Sequence, residues 1–257
     1  MNIYKILKLI PILCILPFTN LSSFADELEF QLLTEDYPPY NMPKEETNGD
    51  NENEIIGSAT DVIKELFKRA KIKYQMETLP WARAYNNALN KKNTVVFAAS
   101  RTEEREKLFK WVGPIGENDW VLFSLVNPKT KEALIKMNSL EDAKKYVIGA
   151  YKGDATSNYL HSFSYLKIED SNLDINNQKK LQAGRIDLWA SGKQLGKWYF
   201  KKNKINNIVP VFTLKTSTLY AAFNIQTDDI IIEKLNHIIK EIQKDGTYNK
   251  IQKKYTN

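Results

Sequence analysis

Cysteine and histidine are almost absent: the 257 residues include one Cys and two His. Cys14 lies inside the apolar N-terminal run, so residues 26–257 offer no thiol for a disulfide, a thiolate nucleophile or a soft metal ligand. His161 and His237 are far apart and lack partners at metal-ligand spacing, so no metal and no cofactor is expected. There is no phosphate-cradling Gly loop, no nucleophile elbow and no zinc motif. Lys and Arg outnumber Asp and Glu by only 37 to 31. Without a clustered basic stripe, that surplus gives no reason to expect nucleic acid as a partner.

Long apolar runs are also missing, except at the start. Lys5 and Lys8 precede or open the run 6–18, which Pro11 and Pro17 interrupt. It falls short of the roughly 20 residues a membrane span needs. Ser23-Phe24-Ala25 then supplies small residues where a signal peptidase reads, so residues 1–25 are taken as a cleaved secretory leader and the protein as periplasmic. Ile12-Leu13 before Cys14 lacks the small residue of a lipoprotein cleavage site, and no lipid anchor is expected. The 42% hydrophobic content describes a globular chain with a real core, in one large domain or two small ones.

Residues 28–33 alternate as a strand and end at Thr34-Glu35-Asp36-Tyr37-Pro38-Pro39-Tyr40, where two prolines fix an extended loop that presents Tyr37 and Tyr40. Residues 43–54, nearly without apolar side chains, read as a mobile surface loop. Ser58-Ala59-Thr60-Asp61 gives a capping-box-like helix start, followed by Val62, Ile63, Leu66, Phe67 and Ala70 on one face. Strand 72–79, helix 81–90 started by Pro80, and strand 95–99 complete a βαβαβ run, which implies parallel strands and right-handed crossovers.

The pattern starts afresh after Pro114-Ile115-Gly116. Strands are expected at 120–126, 146–150, 163–168 and 186–190, with a short helix capped by Ser139 and helices 153–161, 177–183 and 192–202. Strands 208–212 and 219–223 return. Thr227-Asp228-Asp229 then caps a long helix carrying Ile231, Leu235, Ile238 and Ile242, and a last helical turn holds Tyr248, Ile251 and Tyr255. A second α/β unit is thus inserted into the first, which is discontinuous.

The strand 95–99 delivers Ser100-Arg101-Thr102-Glu103-Glu104-Arg105 at its carboxyl end. Small polar ligands bind there in open α/β sheets, and a Ser with a forked Arg suits a carboxylate. The alternative is an exposed helical turn laced with Glu/Arg pairs.

Four pieces in order resemble a known family: residues 34–40, residues 100–105, Ala183-Gly184-Arg185-Ile186-Asp187, and the ending that opens with Asp245-Gly246-Thr247-Tyr248. The family is the periplasmic solute-binding proteins that serve polar amino acid ABC importers. The likeness covers nearly all of the chain after residue 25, and Leu79-Pro80-Trp81-Ala82-Arg83-Ala84 is similar to one sub-branch. It implies an α/β fold of the two-lobed periplasmic binding protein type (type II). Lobe 1 would be residues 26–116 and 217–257, and lobe 2 residues 117–216, joined by crossover strands near 114–120 and 210–217 that form a hinge.

In the family, the Arg matching Arg105 binds the ligand α-carboxylate with help from the Ser matching Ser100. The Asp matching Asp187 takes the α-ammonium, and aromatics matching Tyr37 and Trp81 sandwich the side chain. The implied partner is an inner-membrane ABC permease, with a membrane receptor as alternative, and the implied state is a monomer. A periplasmic dehydratase on a similar fold is a further alternative, with Asp154 or Asp187 as general acid; binding alone needs no bond-making group, and no enzyme is expected.

The resemblance breaks at Tyr151-Lys152-Gly153-Asp154-Ala155-Thr156, where family members often carry Ser or Thr after the Gly. Asp154 is either a helix N-cap or the mark of a ligand more cationic than a neutral amino acid. Arg83 stands evenly between the site and a surface ion pair. Arg101 is expected in the cleft or pinning its lobe through Glu103 or Glu104. Trp120 is placed at the cleft, and Trp111, Trp189 and Trp198 in core or rim.

Overall fold

Exposed Glu29 and Gln31 alternate with buried Phe30 and Leu32, and the strand then buries Leu33 and Thr34 as it runs under cover on both faces. This is β1 (Glu29–Thr34). The computed structural model describes residues 28–44 and 54–256; the expected leader at 1–25 and most of the loop 43–54 lie outside them. After β1 come the short pair β2 (Met42–Pro43) and β3 (Ile55–Ile56), then α1 (Ser58–Ala70), β4 (Lys73–Thr78), α2 (Trp81–Asn90), β5 (Thr94–Ser100) and β6 (Phe109–Glu117). The inserted unit contains β7 (Trp120–Leu125), β8 (Val147–Tyr151), α3 (Ala155–His161), β9 (Lys167–Ser171), α4 (Asp174–Gln182), β10 (Leu188–Gly192), α5 (Lys193–Lys202) and β11 (Ile208–Lys215). The chain closes with β12 (Thr218–Asn224), α6 (Asp229–Lys244) and α7 (Thr247–Thr256).

Two five-stranded sheets result, in the orders β4-β1-β5-β12-β6 and β11-β7-β10-β8-β9. In the first, β1 runs parallel to β4 and β5, while β12 is antiparallel to β5 and β6. In the second, β8 is parallel to β9 and β10, and β7 is antiparallel to β10 and β11. Each sheet is apolar on both faces and covered on both by helices, so each lobe is three layers. Under α1 and α6, the rings of Phe30, Phe67 and Phe223 meet with centroids 5.5 to 6.4 Å apart. On the opposite face, Trp81, Ala84 and Ala88 of α2 pack on Leu33, Val96, Phe109 and Trp111.

The chain crosses between lobes twice, β6 to β7 and β11 to β12. The crossings lie side by side: Glu117 pairs with Thr218, Asn118 N–H donates to Ser217 O at 2.8 Å, and Trp120 pairs with Lys215. Among the described residues no helix is long and apolar enough to cross a membrane.

Helix α2 falls on its expected bounds, and most strands within a residue or two. Strand β6 is the omission, because Gly113-Pro114 reads as a break. It pairs only with β12 at the sheet edge, with a register shift opposite, which is where a strand tolerates proline. β9 lies at 167–171 rather than 163–168: Phe163 and Tyr165 instead turn into a ring cluster with Tyr159, and the edge strand itself is mostly polar. α4 begins at Asp174, three residues early, and the last helical turn is a full helix, α7.

The start of α1 also differs. Its N-cap is Gly57, with no side-chain cap; Pro39 O accepts from Ser58 N–H at 2.9 Å, and Tyr40 O accepts from Ala59 and Thr60 N–H at 3.0 and 3.1 Å. The double-proline loop thus satisfies the free amides of the helix and is fixed by them. Gly57 has φ 137°, and a Cβ there would lie 2.2 Å from the carbonyl oxygen of Tyr40. Gly57→Ala therefore should destabilise lobe 1 by at least about 3 kcal/mol, from backbone strain plus a clash that no side chain can relieve; urea unfolding followed by tryptophan fluorescence measures it.

Candidate ligand-binding cleft

β5 ends at Ser100, and a single turn of 3-10 helix, Glu103–Arg105, folds Arg105 back over that strand end. The turn leaves Arg105 only 5% exposed, with Nη1 donating to Ser100 O at 3.3 Å. Its Cζ lies 5.2 Å from the ring centroids of both Trp81 and Tyr85. From lobe 2, the loop after β8 brings in Gly153, whose carbonyl accepts from Arg105 Nη2 at 3.3 Å and from Trp81 Nε1 at 3.1 Å. Gly153 has φ 77°, a conformation glycine reaches without penalty, and this aims the carbonyl across the cleft. With two bonds made, most of the five N–H donors of the guanidinium are left to face a groove of about 400 Å3. Tyr85, Thr102, Trp120, Asn158, Tyr159 and Lys215 are among its lining residues. A hollow of about 790 Å3 between α1 and α7 lies on the outside of lobe 1, without any of these groups.

Carboxylates from both lobes also act on one another, although Glu35, Asp154 and Asp174 are not among the residues lining that groove. Burial pushes Glu35 well above its ordinary value, with Asp154 adding to the rise and the facing Tyr151 hydroxyl opposing it; Asp174 and Asp36 raise it further. Burial likewise raises Tyr151, and the Glu35 charge adds to it. Asp174 opens α4 beneath β10, where Trp189 Nε1 donates to its Oδ1 at 2.9 Å and Ser191 Oγ donates to its Oδ2. Burial outweighs those two bonds and pushes Asp174 up to about 6, with Asp154 adding to the rise. Asp154 N-caps α3, its Oδ2 accepting from Thr156 N–H at 3.0 Å. Tyr37, stacked on Tyr40 at 5.7 Å, is raised by burial and by the charges of Asp154 and Asp174.

Five of the seven sequence-nominated residues thus gather between the lobes: Tyr37, Trp81, Ser100, Arg105 and Asp154. Two do not. Asp187 is exposed at the start of β10, paired through Oδ2 with Val147 N–H at 2.8 Å, at the opposite end of the strand from Gly192. The reason is polarity: the carboxyl ends of β8 and β10 face lobe 1, and Asp187 precedes its strand. Arg83 is exposed on α2 and makes no side-chain hydrogen bond or ion pair among the described residues.

Arg101 is held by Glu106, through Nε at 2.7 Å and Nη2 at 2.5 Å, rather than by Glu103 or Glu104. Trp120 lines the groove, and Trp189 is fully buried beside Asp174. Glu35, Tyr151, Asp174 and Gly192 were missed by the sequence reading. Glu35 is adjacent to Thr34 in the very motif that nominates Tyr37; Asp174 carried only the weak sign of an acid opening a helix. Among the described residues no group of His, Cys, Asp and Glu is arranged to hold a metal.

Two three-layer lobes on a double crossing, with a buried guanidinium between them, define the architecture of a cleft-closing binding protein. The chain belongs to the bacterial extracellular solute-binding proteins, family 3, whose model matches residues 32–257. It is similar to the L-cystine-binding protein TcyA of Bacillus subtilis (strain 168), 23% identical over 225 residues, covering 85% of this chain and 77% of that one. Its fold matches an ancestral arginine-binding protein bound to arginine (TM-score 0.75, 22% identity, 90% of this chain and 99% of that one). It also matches a histidine kinase sensor domain with similarity to periplasmic binding proteins (TM-score 0.78, 16% identity, 90% and 98%). The chain is a solute-binding protein, and these relatives are binding or sensor proteins.

Two outcomes follow from the cleft geometry. Gly192 has ordinary backbone angles, φ −67° and ψ 133°, yet a Cβ there would sit 2.4 Å from the Tyr37 hydroxyl and 2.5 Å from Asn118 Oδ1. Gly192→Ala should therefore leave lobe 2 folded while holding the lobes apart, with an unchanged melting temperature and ligand affinity lowered at least about tenfold in calorimetry. For Glu35, the folded-state pKa lies above the unfolded value of 4.5, so the folded protein binds the extra proton and loses stability as pH rises through that window. Glu35→Gln removes this loss, and its melting temperature relative to the wild type should climb between pH 4.5 and pH 8; a gap that stays constant would contradict the assigned burial.

Proposed function

We propose that the protein binds an amino acid or closely related zwitterion between its lobes in the periplasm. By closing, it delivers that solute as a monomer to an inner-membrane ABC permease. The observation that carries this reading is Arg105: a buried guanidinium at a strand end, fixed by Ser100 O and flanked by Trp81 and Tyr85, with donors facing the groove. Its rigid fork suits a carboxylate, and each charge-assisted contact contributes roughly 1.5–3 kcal/mol. Two or three such contacts plus aromatic burial reach about −8 kcal/mol, a micromolar affinity, after the costs of association.

Ser100, Tyr37 and Trp81 support the carboxylate end and the body of the solute. The likeness of the four sequence motifs to binding proteins of polar amino acid importers supports the permease as partner. Residues 26–116 with 217–257 move as one body and 117–216 as the other, about the paired crossings at Asn118 and Ser217. Binding uses no general acid. Asp154 caps α3 and Asp187 is bonded to Val147 away from the cleft, which weakens the dehydratase alternative. The sensor-domain likeness supports a second reading, delivery to a membrane receptor. Uptake of labelled amino acid in cells lacking the protein separates the two, since only a permease makes uptake depend on it.

Small-angle scattering should show compaction when the amino acid chosen by a thermal-shift screen is added. Arg105→Ala should weaken that solute by roughly 2–5 kcal/mol in calorimetry, because a carboxylate is left unpaired. A loss smaller than tenfold in the folded variant, or an unchanged radius of gyration at saturation, counts against the reading.

A further inference from the structure

The weak positive surplus of the chain is not spread over its surface. Lys5 and Lys8 precede residue 26, so residues 26–257 hold 35 of the 37 Lys and Arg against all 31 Asp and Glu, a surplus of four. Helix α1 with its C-cap, residues 58–71, and α7 with the turn that enters it, residues 245–256, together hold seven basic and three acidic residues, again a surplus of four. The rest of the chain after residue 25 is therefore balanced. The two helices are far apart in sequence, which hides the cluster there, but they pack side by side on the outside of lobe 1, where Lys254 Nζ and the Tyr255 hydroxyl both donate to Asp61 Oδ2 at 2.9 and 2.8 Å.

The hollow of about 790 Å3 lies between them, lined by Tyr74 and Ile251 and by Lys64, Lys68, Lys250 and Lys254. Its apolar lining continues the core of lobe 1: Tyr74 meets the Phe67 ring edge-on at 5.4 Å, and Ile251 packs on the same cluster. Local structure accounts for some of the lysines. Lys254 pairs with Asp61 at 2.9 Å, Lys64 with Glu54 at 3.5 Å and Lys68 with Glu65 at 3.6 Å. It does not account for Lys71, Lys250 and Lys253, which are exposed and join no ion pair among the described residues. A helix dipole favours bases in the last turn and acids in the first, yet α7 has no acid in its first turn or anywhere along it.

We propose that this face rests on an anionic phospholipid surface, with lipid phosphates on the lysines and the apolar lining of the hollow against the glycerol edge beneath them. The kind of cation decides between a lipid layer and a defined acidic protein segment. Arg69, the one guanidinium of the two helices, is already tied to Glu65 at 2.7 Å, Asp245 at 2.6 Å and Thr247 Oγ1 at 3.0 Å, so no fork is left to grip a particular carboxylate. What remains are ammonium groups on flexible stems, point charges that suit a fluid layer of phosphates without fixed geometry. Attachment of this kind is reversible and screened by salt. The hollow shares no lining residue with the groove at Arg105, so the inference stands apart from the reading of the solute.

Co-sedimentation of purified residues 26–257 with lipid vesicles tests this. Vesicles of about 30% phosphatidylglycerol in phosphatidylcholine should bind the protein at least about tenfold tighter than phosphatidylcholine alone, and raising the salt from about 50 to about 300 mM should remove most of that binding. Lys250→Glu with Lys253→Glu should weaken binding to the anionic vesicles at least about tenfold, with an unchanged melting temperature. Lys68→Glu, on the other helix, should weaken it in the same direction and keeps the test open should the α7 pair disturb the fold. The same charge change at two exposed lysines of lobe 2, Lys129→Glu with Lys179→Glu, should alter binding by less than about twofold. Equal binding to both kinds of vesicle, or equal losses from the lobe 1 and lobe 2 pairs, overturns the proposal. So does tighter binding to poly-L-glutamate than to the anionic vesicles at the same salt, which would assign the face to an acidic protein segment.

Discussion

One backbone carbonyl joins the two halves of this molecule: the oxygen of Gly153, which receives Trp81 Nε1 and Arg105 Nη2 together. Much else is arranged around that contact. β5 ends where Arg105 can fold back, α2 starts at Trp81 so that the indole reaches over, and the left-handed turn at Gly153 aims the oxygen. A carbonyl carries a partial charge only, so it orders the guanidinium without neutralising it. On the proposed reading, a ligand carboxylate would meet a cation that is already positioned, and ordering costs at the moment of binding would be small.

The two charges of the cleft are built by different means. The cation stands on lobe 1, held at a strand end by a short turn and two aromatic rings. The anions come from both lobes: Glu35 from the loop after β1, Asp154 from the cap of α3, and Asp174 from the first turn of α4. Burial raises the proton affinity of Glu35, and the charges of Asp154 and Asp174 from the other lobe raise it further.

Much of this was legible in the sequence, and for stated reasons. The βαβαβ run and the return of two strands after a second unit required a discontinuous lobe, because hydrophobic period and turn residues agreed at 58–70, 81–90 and 94–100. Arg105 was legible because a charged fork follows directly on an apolar strand. Asp187 misled because sequence order does not say at which end of a strand a flanking acid will stand; the acid that reaches the cleft side, Asp174, belongs to a different element and meets β10 only through Trp189 and Ser191. Strand β6 was hidden by Gly113 and Pro114, residues that end strands everywhere except at edges and irregularities. Gly192 left no sign at all, since its value lies in what lobe 1 places against it.

The position of β12 has a consequence for how the chain becomes a protein. It is the second-last strand of its sheet in space and the last in sequence, wedged between β5 and β6, and β6 has no other partner. Until Thr218–Asn224 has been synthesised, lobe 1 has an open gap in its sheet and its α6 has not been made, whereas every strand of lobe 2 is already present. The N-terminal half thus remains unfinished for most of its synthesis. In a family of extracellular proteins, whose chains leave the cell, late completion of the first lobe would keep the polypeptide threadable until roughly its last sixth emerges.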